Sequence, residues 1–121
     1  MTPSYIWQMG YIRSIEDIIA TMQKTLQEQV ISVQHFKYRG MDFMFKIPYK
    51  LSYVIDGSYY IHENEALGII ISEEKLSDLV NSFYDYFSFL WIDYAEENDD
   101  KLSKDAIELK NVLLGMCEVA R

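Results

Sequence analysis

An α+β fold, built from an antiparallel sheet of three to five strands with helices packed on one face, is what this sequence predicts. Three observations carry that expectation. Apolar residues between positions 41 and 55 recur with period two, whereas those over 15–26 and 76–94 recur with the period of a helix. Between the two regimes sits an Asp-Gly pair, Asp56-Gly57, flanked by alternating runs in the manner of a tight hairpin.

Residues 14–29 read as a helix. Ser14 can cap its N-terminus, Asp17 can reach back in a capping-box arrangement, and Ile15, Ile18, Ile19, Met22 and Leu26 form one apolar stripe. The sheet is expected over about 30–71. Val30 to Tyr38 is its first candidate strand. Met41, Phe43, Phe45 and Ile47 then alternate with Asp42, Met44 and Lys46, and Tyr49, Leu51, Tyr53 and Ile55 alternate with Lys50, Ser52 and Val54. Such runs of aromatic and β-branched residues suit half-buried strands. Pro48 lacks a donor for the ladder, so it marks an edge position, a bulge or a break.

Asp56-Gly57 predicts a type I′ turn with both residues at positive φ. A strand Ser58–His62 follows, with Tyr59 and Ile61 on one side and Tyr60 on the other. Beyond the polar connection Glu63-Asn64-Glu65, the run Leu67–Ile71 is apolar on both sides and predicts a central strand.

A helix is expected over about 73–95. Ser72 would be its N-cap, Glu73 and Glu74 would sit at the positive end of its dipole, and its stripe is Leu76, Leu79, Val80, Phe83, Phe87, Leu90 and Tyr94. Phe89 and Ile92 project from the opposite side. Either a last helix, about 103–120 with Ser103 as cap, folds back on them as a C-terminal αα-hairpin, or they form a protein interface; the hairpin is favoured. The stretch Glu96–Asp100 between the helices reads as a solvated connection, and Cys117 falls on the apolar side of the last helix.

At 121 residues the chain is expected to be one domain, 1–121, with a composition, half hydrophobic and a quarter charged, that is globular rather than disordered. A single cysteine cannot form an intrachain disulfide and suits a reducing compartment. The first residues lack a basic segment followed by an apolar one, and no apolar run approaches the ~20 residues of a membrane span, so the cytoplasm is the expected location. A net charge of −8, with scattered lysines, disfavours direct nucleic-acid binding. It suits a basic protein partner, although the acidity can equally serve solubility.

Chemistry finds little to work with. His35 and His62 belong to no metal-binding spacing, no glycine belongs to a phosphate-binding pattern, and Glu96–Asp100 lacks the alternation of a calcium loop. No catalytic residue, metal site or cofactor is expected. The aromatic content says more. Ten tyrosines exceed what this core needs, and Tyr is enriched at interface hot spots. Tyr53, Tyr59, Tyr60, Glu63 and Glu65 around the hairpin are the expected partner contacts, with Asp85 as an outlying candidate; a packed aromatic core with hydroxyls at its rim is the competing reading.

Leu51-Ser-Tyr-Val-Ile-Asp56-Gly57, Ser58-Tyr59-Tyr60-Ile61, Leu67-Gly68-Ile69-Ile70-Ile71 and Leu76-Ser-Asp-Leu79-Val80 together resemble the HicB-like antitoxin domain, over about Leu51–Tyr94. The resemblance implies that fold and a neutralising, protein-binding role. Two departures matter. The family's Cys- and Pro-rich segment between the second and third strands is replaced by Glu63–Gly68, and its additional DNA-binding module is missing, so DNA binding does not carry over. The acidic tail helix is similar to extensions on small immunity-type proteins of bacterial toxin systems. The expected function is stoichiometric inhibition of a toxin, such as a basic nuclease, by occlusion. A small enzyme or ligand-binding domain, and a homodimer assembled through Phe89 and Ile92, are the alternatives.

Overall fold

The computed structural model describes residues 29–121. The chain divides into two compact units, Met1–Val30 and Ile31–Arg121; the helix expected over 14–29 lies outside the described residues. Strand β1 (Val30–Tyr38) leads into β2 (Met41–Ser52), β3 (Val54–Asp56), β4 (Tyr59–Asn64) and β5 (Ile69–Glu73). Helix α1 (Leu76–Leu90), a π-helical turn (Trp91–Ala95), helix α2 (Lys104–Met116) and strand β6 (Cys117–Ala120) complete the unit. The fold is α+β. Among the described residues the strands form two three-stranded sheets, ordered β1-β2-β6 and β3-β4-β5.

The type I′ turn expected at Asp56-Gly57 does not form there. Asp56 pairs with Tyr59, so the loop is Gly57-Ser58 rather than Asp56-Gly57. Only Gly57 in it has positive φ, at 61°, which is the type II′ pattern and not I′. The I′ pattern occurs instead between β1 and β2, where Arg39 (φ 52°) and Gly40 (φ 77°) are both left-handed. An arginine there costs roughly 1–2 kcal/mol of backbone strain. Its side chain offsets part of that cost: Arg39 Nη2 donates to Asp85 Oδ1 at 2.8 Å, and Tyr38 Oη donates to the same oxygen at 3.1 Å.

Strand β2 runs through Pro48, and the break falls at Tyr53. Pairing with β6 extends only from Asp42 to Phe45, so the missing N–H at Pro48 interrupts no bond to that neighbour. Met41, Phe43, Phe45, Tyr49 and Leu51 are buried, but Ile47 is 79% exposed although it shares their parity. The strand turns its face outward at that point.

Against this sheet α1 lays Leu79, Phe83, Phe87 and Leu90, all buried. Phe36 stacks on Phe43 (4.6 Å) and on Tyr84 (4.2 Å), Phe83 stacks on Tyr49 (4.5 Å), and Trp91 meets Phe43 edge-on. Among the described residues most of the large aromatic surface is therefore consumed in one core. The helix starts at Leu76, with Lys75 at the cap and no side-chain cap bond. Ser72 and Glu73, expected to open it, are instead the last residues of β5, held there by pairing with Ile61 and Tyr60. Glu73 Oε2 accepts from Ser82 Oγ at 2.7 Å, which ties the strand to the helix.

Ser103 caps α2 as expected, its hydroxyl accepting from Ala106 N. The helix ends at Met116, however, rather than continuing to Ala120. Cys117–Ala120 pairs with Phe45–Asp42, because β2 is a buried strand whose backbone groups need partners, and these outweigh one more helical turn. The αα-hairpin forms, with α2 packed on the Trp91–Ala95 turn. It does not cover the two anomalous residues: Phe89 remains 55% and Ile92 42% exposed.

Candidate interaction surface

Strand register decides what sheet β3-β4-β5 shows to each side. Val54 lies opposite Ile61, which lies opposite Ser72; Glu63 lies opposite Ile70; Asp56 lies opposite Tyr59. These residues share the outer face. Val54, Tyr59 and Ile70 are exposed there, Ile70 to 72%, and Glu63 stands among them. A shallow cleft of about 430 Å³ opens beside them, lined by Glu63, Asn64, Glu65, Gly68, Ile69 and Ile70.

Three of the expected contact residues thus lie together: Tyr59 and Glu63 on the face, and Glu65 in the adjoining turn. Tyr53 and Tyr60 do not join them. Tyr60 belongs to the inner face by parity, and its ring meets that of Tyr53 edge-on at 5.6 Å, with both packed against the core. Asp85 lies on α1, engaged with Tyr38 and Arg39. Reading Leu67–Ile71 as a central strand hid Ile70, and setting Val54 with Lys50 and Ser52, opposite the apolar set of its strand, hid Val54. Among the described residues β5 pairs only with β4, and its two faces differ: Ile69 and Ile71 are buried on the inner face while Ile70 faces solvent on the outer one.

The inner face carries the buried polar chemistry. His62 is 2% exposed. Its Nδ1 lies 2.5 Å from the carbonyl of Ser52, so Nδ1 carries the proton, and Nε2 accepts from Tyr49 Oη at 2.9 Å. Asn64 Nδ2 donates to the same hydroxyl at 2.9 Å, and Asn64 Oδ1 accepts from Leu67 N. Burial holds the imidazole below its ordinary pKa, against opposing pulls from the Ser52 carbonyl and Glu63, and burial likewise raises that of Tyr49. Both ring nitrogens are engaged, so the arrangement fixes the β2–β4 junction and offers no base to a substrate.

Elsewhere His35 pairs with Asp42 in an exposed contact. Burial pushes the Cys117 thiol up to about 11, the wrong direction for a nucleophile. Glu96, held below the usual carboxylate range mainly by its hydrogen bond to Arg121, anchors the end of β6. Among the described residues no cluster of three or more His, Cys, Asp or Glu could hold a metal ion, and no helix is long and apolar enough to cross a membrane. The outer sheet face therefore combines exposed Val54, Tyr59 and Ile70 with the carboxylates of Asp56 and Glu63. No family model matches the chain, and comparison with curated proteins and with solved structures found no match.

Proposed function

We propose that this chain is a small acidic protein-binding module of the cytoplasm that neutralises a basic protein by occluding its working surface, as an antitoxin or immunity protein does. The observation that carries the reading is the outward face of β3-β4-β5, where Val54, Tyr59 and Ile70 are exposed around Glu63, with Glu65 beside them. Aromatic and aliphatic anchors rimmed by charge are the anatomy of a protein interface. The net charge of −8 favours a cationic partner by steering and by sign. The succession β3, β4, β5, α1 follows the order of the HicB-like pattern and supports the antitoxin form of the reading. Occlusion requires no catalytic group of its own.

The test is a titration of the purified chain with the protein encoded by the neighbouring gene, followed by size-exclusion chromatography and calorimetry. A stoichiometric complex is expected, weakened about tenfold or more by Tyr59→Ala or Glu63→Lys. Absence of a complex, or a complex indifferent to both substitutions, overturns the reading.

A further inference from the structure

Among the described residues β5 pairs only with β4. Which of its backbone groups face outward follows from the neighbouring hairpin. Residues flanking a two-residue loop exchange both N–H···O bonds, so Asp56 and Tyr59 form a hydrogen-bonded pair, and alternation makes Val54 and Ile61 the next such pair. The backbone groups of Tyr60, His62 and Asn64 therefore point at β5. Their partners Glu73, Ile71 and Ile69 are engaged with β4, which leaves the N–H and C=O groups of Ile70 and Ser72 pointing away from the sheet. Both residues are exposed.

Proteins usually blunt such an edge with a lysine, a proline or a bulge. Ile69-Ile70-Ile71-Ser72-Glu73 contains neither residue, and its register with β4 is uninterrupted over five pairs. Glu63 lies across β5 from the edge, on the same face as Ile70; Glu65 sits at one end of the strand, and Glu74, followed by Lys75, at the other. The four ion pairs among the described residues involve none of these three carboxylates.

We propose that β5 is an augmentation edge: an extended segment of a basic protein adds as a fourth strand, bonding to the backbone of Ile70 and Ser72 and directing Lys or Arg toward Glu63, Glu65 and Glu74. Two strand spacings span roughly 10 Å, which these long side chains cover. A second copy fits worse. Antiparallel pairing of two β5 strands about Ile71 would bring the Glu65 end of one against the Glu73 and Glu74 end of the other.

The inference rests on the protein-binding reading, but its test needs no natural partner. The full chain, labelled with 15N, is titrated with three blocked peptides: alternating Lys-Val of seven residues, its Glu-Val counterpart, and the Lys-Val peptide N-methylated at alternate residues. The Lys-Val peptide should shift and protect the amides of Ile70 and Ser72, and the other two should not. Ser72→Pro removes an outward N–H without touching the ladder to β4 and should weaken binding at least tenfold; Ile70→Lys gives a second arm if that variant misfolds. Equal response to the Glu-Val or methylated peptide, no response at Ile70 and Ser72, or protection that rises with protein concentration alone (a second copy on the edge) overturns the proposal. Failure here beside an intact partner complex would remove strand addition and leave the docking face standing; the converse would do the opposite.

Discussion

Acidification should destabilise this protein through His62 before its carboxylates titrate. The imidazole is 2% exposed, donates from Nδ1 to the Ser52 carbonyl and accepts at Nε2 from Tyr49. A proton on Nε2 would face the Tyr49 hydroxyl. That hydroxyl would have to reverse, accept from His62 as well as from Asn64, and leave its own hydrogen without a partner. Burial accordingly lowers the pKa in the folded state. The sign is then fixed: the unfolded chain binds the proton more readily, so stability is full above about pH 6.5 and falls as the pH drops toward the folded value. From pH 7.5 to 5.5 the loss due to this group is at most about 1.4 kcal/mol. The assay is urea unfolding followed by tryptophan fluorescence at constant ionic strength, comparing the native sequence with His62→Gln. Glutamine can still donate to Ser52 and accept from Tyr49 but does not titrate. Groups common to both proteins cancel in the comparison. The variant should begin less stable and lose less over this range; parallel curves would refute the argument.

Phe83 is fully buried and stacks on Tyr49, so Phe83→Ala should cost about 3–5 kcal/mol in chemical denaturation, and a loss below about 1 kcal/mol would contradict the packing described. Gly57→Ala places a side chain at φ 61° with nothing within 4 Å of the new methyl group, so a destabilisation of about 1 kcal/mol or more should arise from the backbone alone; no change in unfolding midpoint would refute the II′ turn. Raising the Cys117 pKa from 9.0 to about 11 reduces its thiolate population roughly a hundredfold near pH 8, before restricted access of the reagent is counted. A thiol reagent should label the native chain at least that much more slowly than the urea-unfolded chain, and similar rates would show that β6 does not shield it.

Period was the legible part of this sequence. Phe43 and Phe45, Leu79, Phe83 and Phe87 show in their spacing which face they bury, and Ser103 announces its helix by its own chemistry. Hairpin flanks were legible too: Tyr59 and Tyr60 point to opposite faces whichever two residues make the turn. Partner choice was not legible. Cys117–Ala120 continues a helical stripe locally and becomes a strand because Phe43–Phe45 lie within reach only in the folded chain. The same holds for Ile69-Ile70-Ile71, whose composition is that of a central strand and whose position among the described strands is an edge. Asp85, singled out as a surface acid, has its use set by the turn at Arg39-Gly40, which no local pattern connects to it.

The pairing of β6 with β2 has a consequence in time. The meander β3-β4-β5 closes through short connections and can assemble as soon as its own residues meet. The other sheet cannot: its third strand comes from the far end of the described chain, and both helices intervene. Closing so long a loop is entropically costly until other contacts hold its ends together. The meander with α1 should therefore act as the nucleus, and β6 should dock late. A lesion in Cys117–Ala120 would then leave the rate of folding almost unchanged and act by shortening the lifetime of the folded molecule.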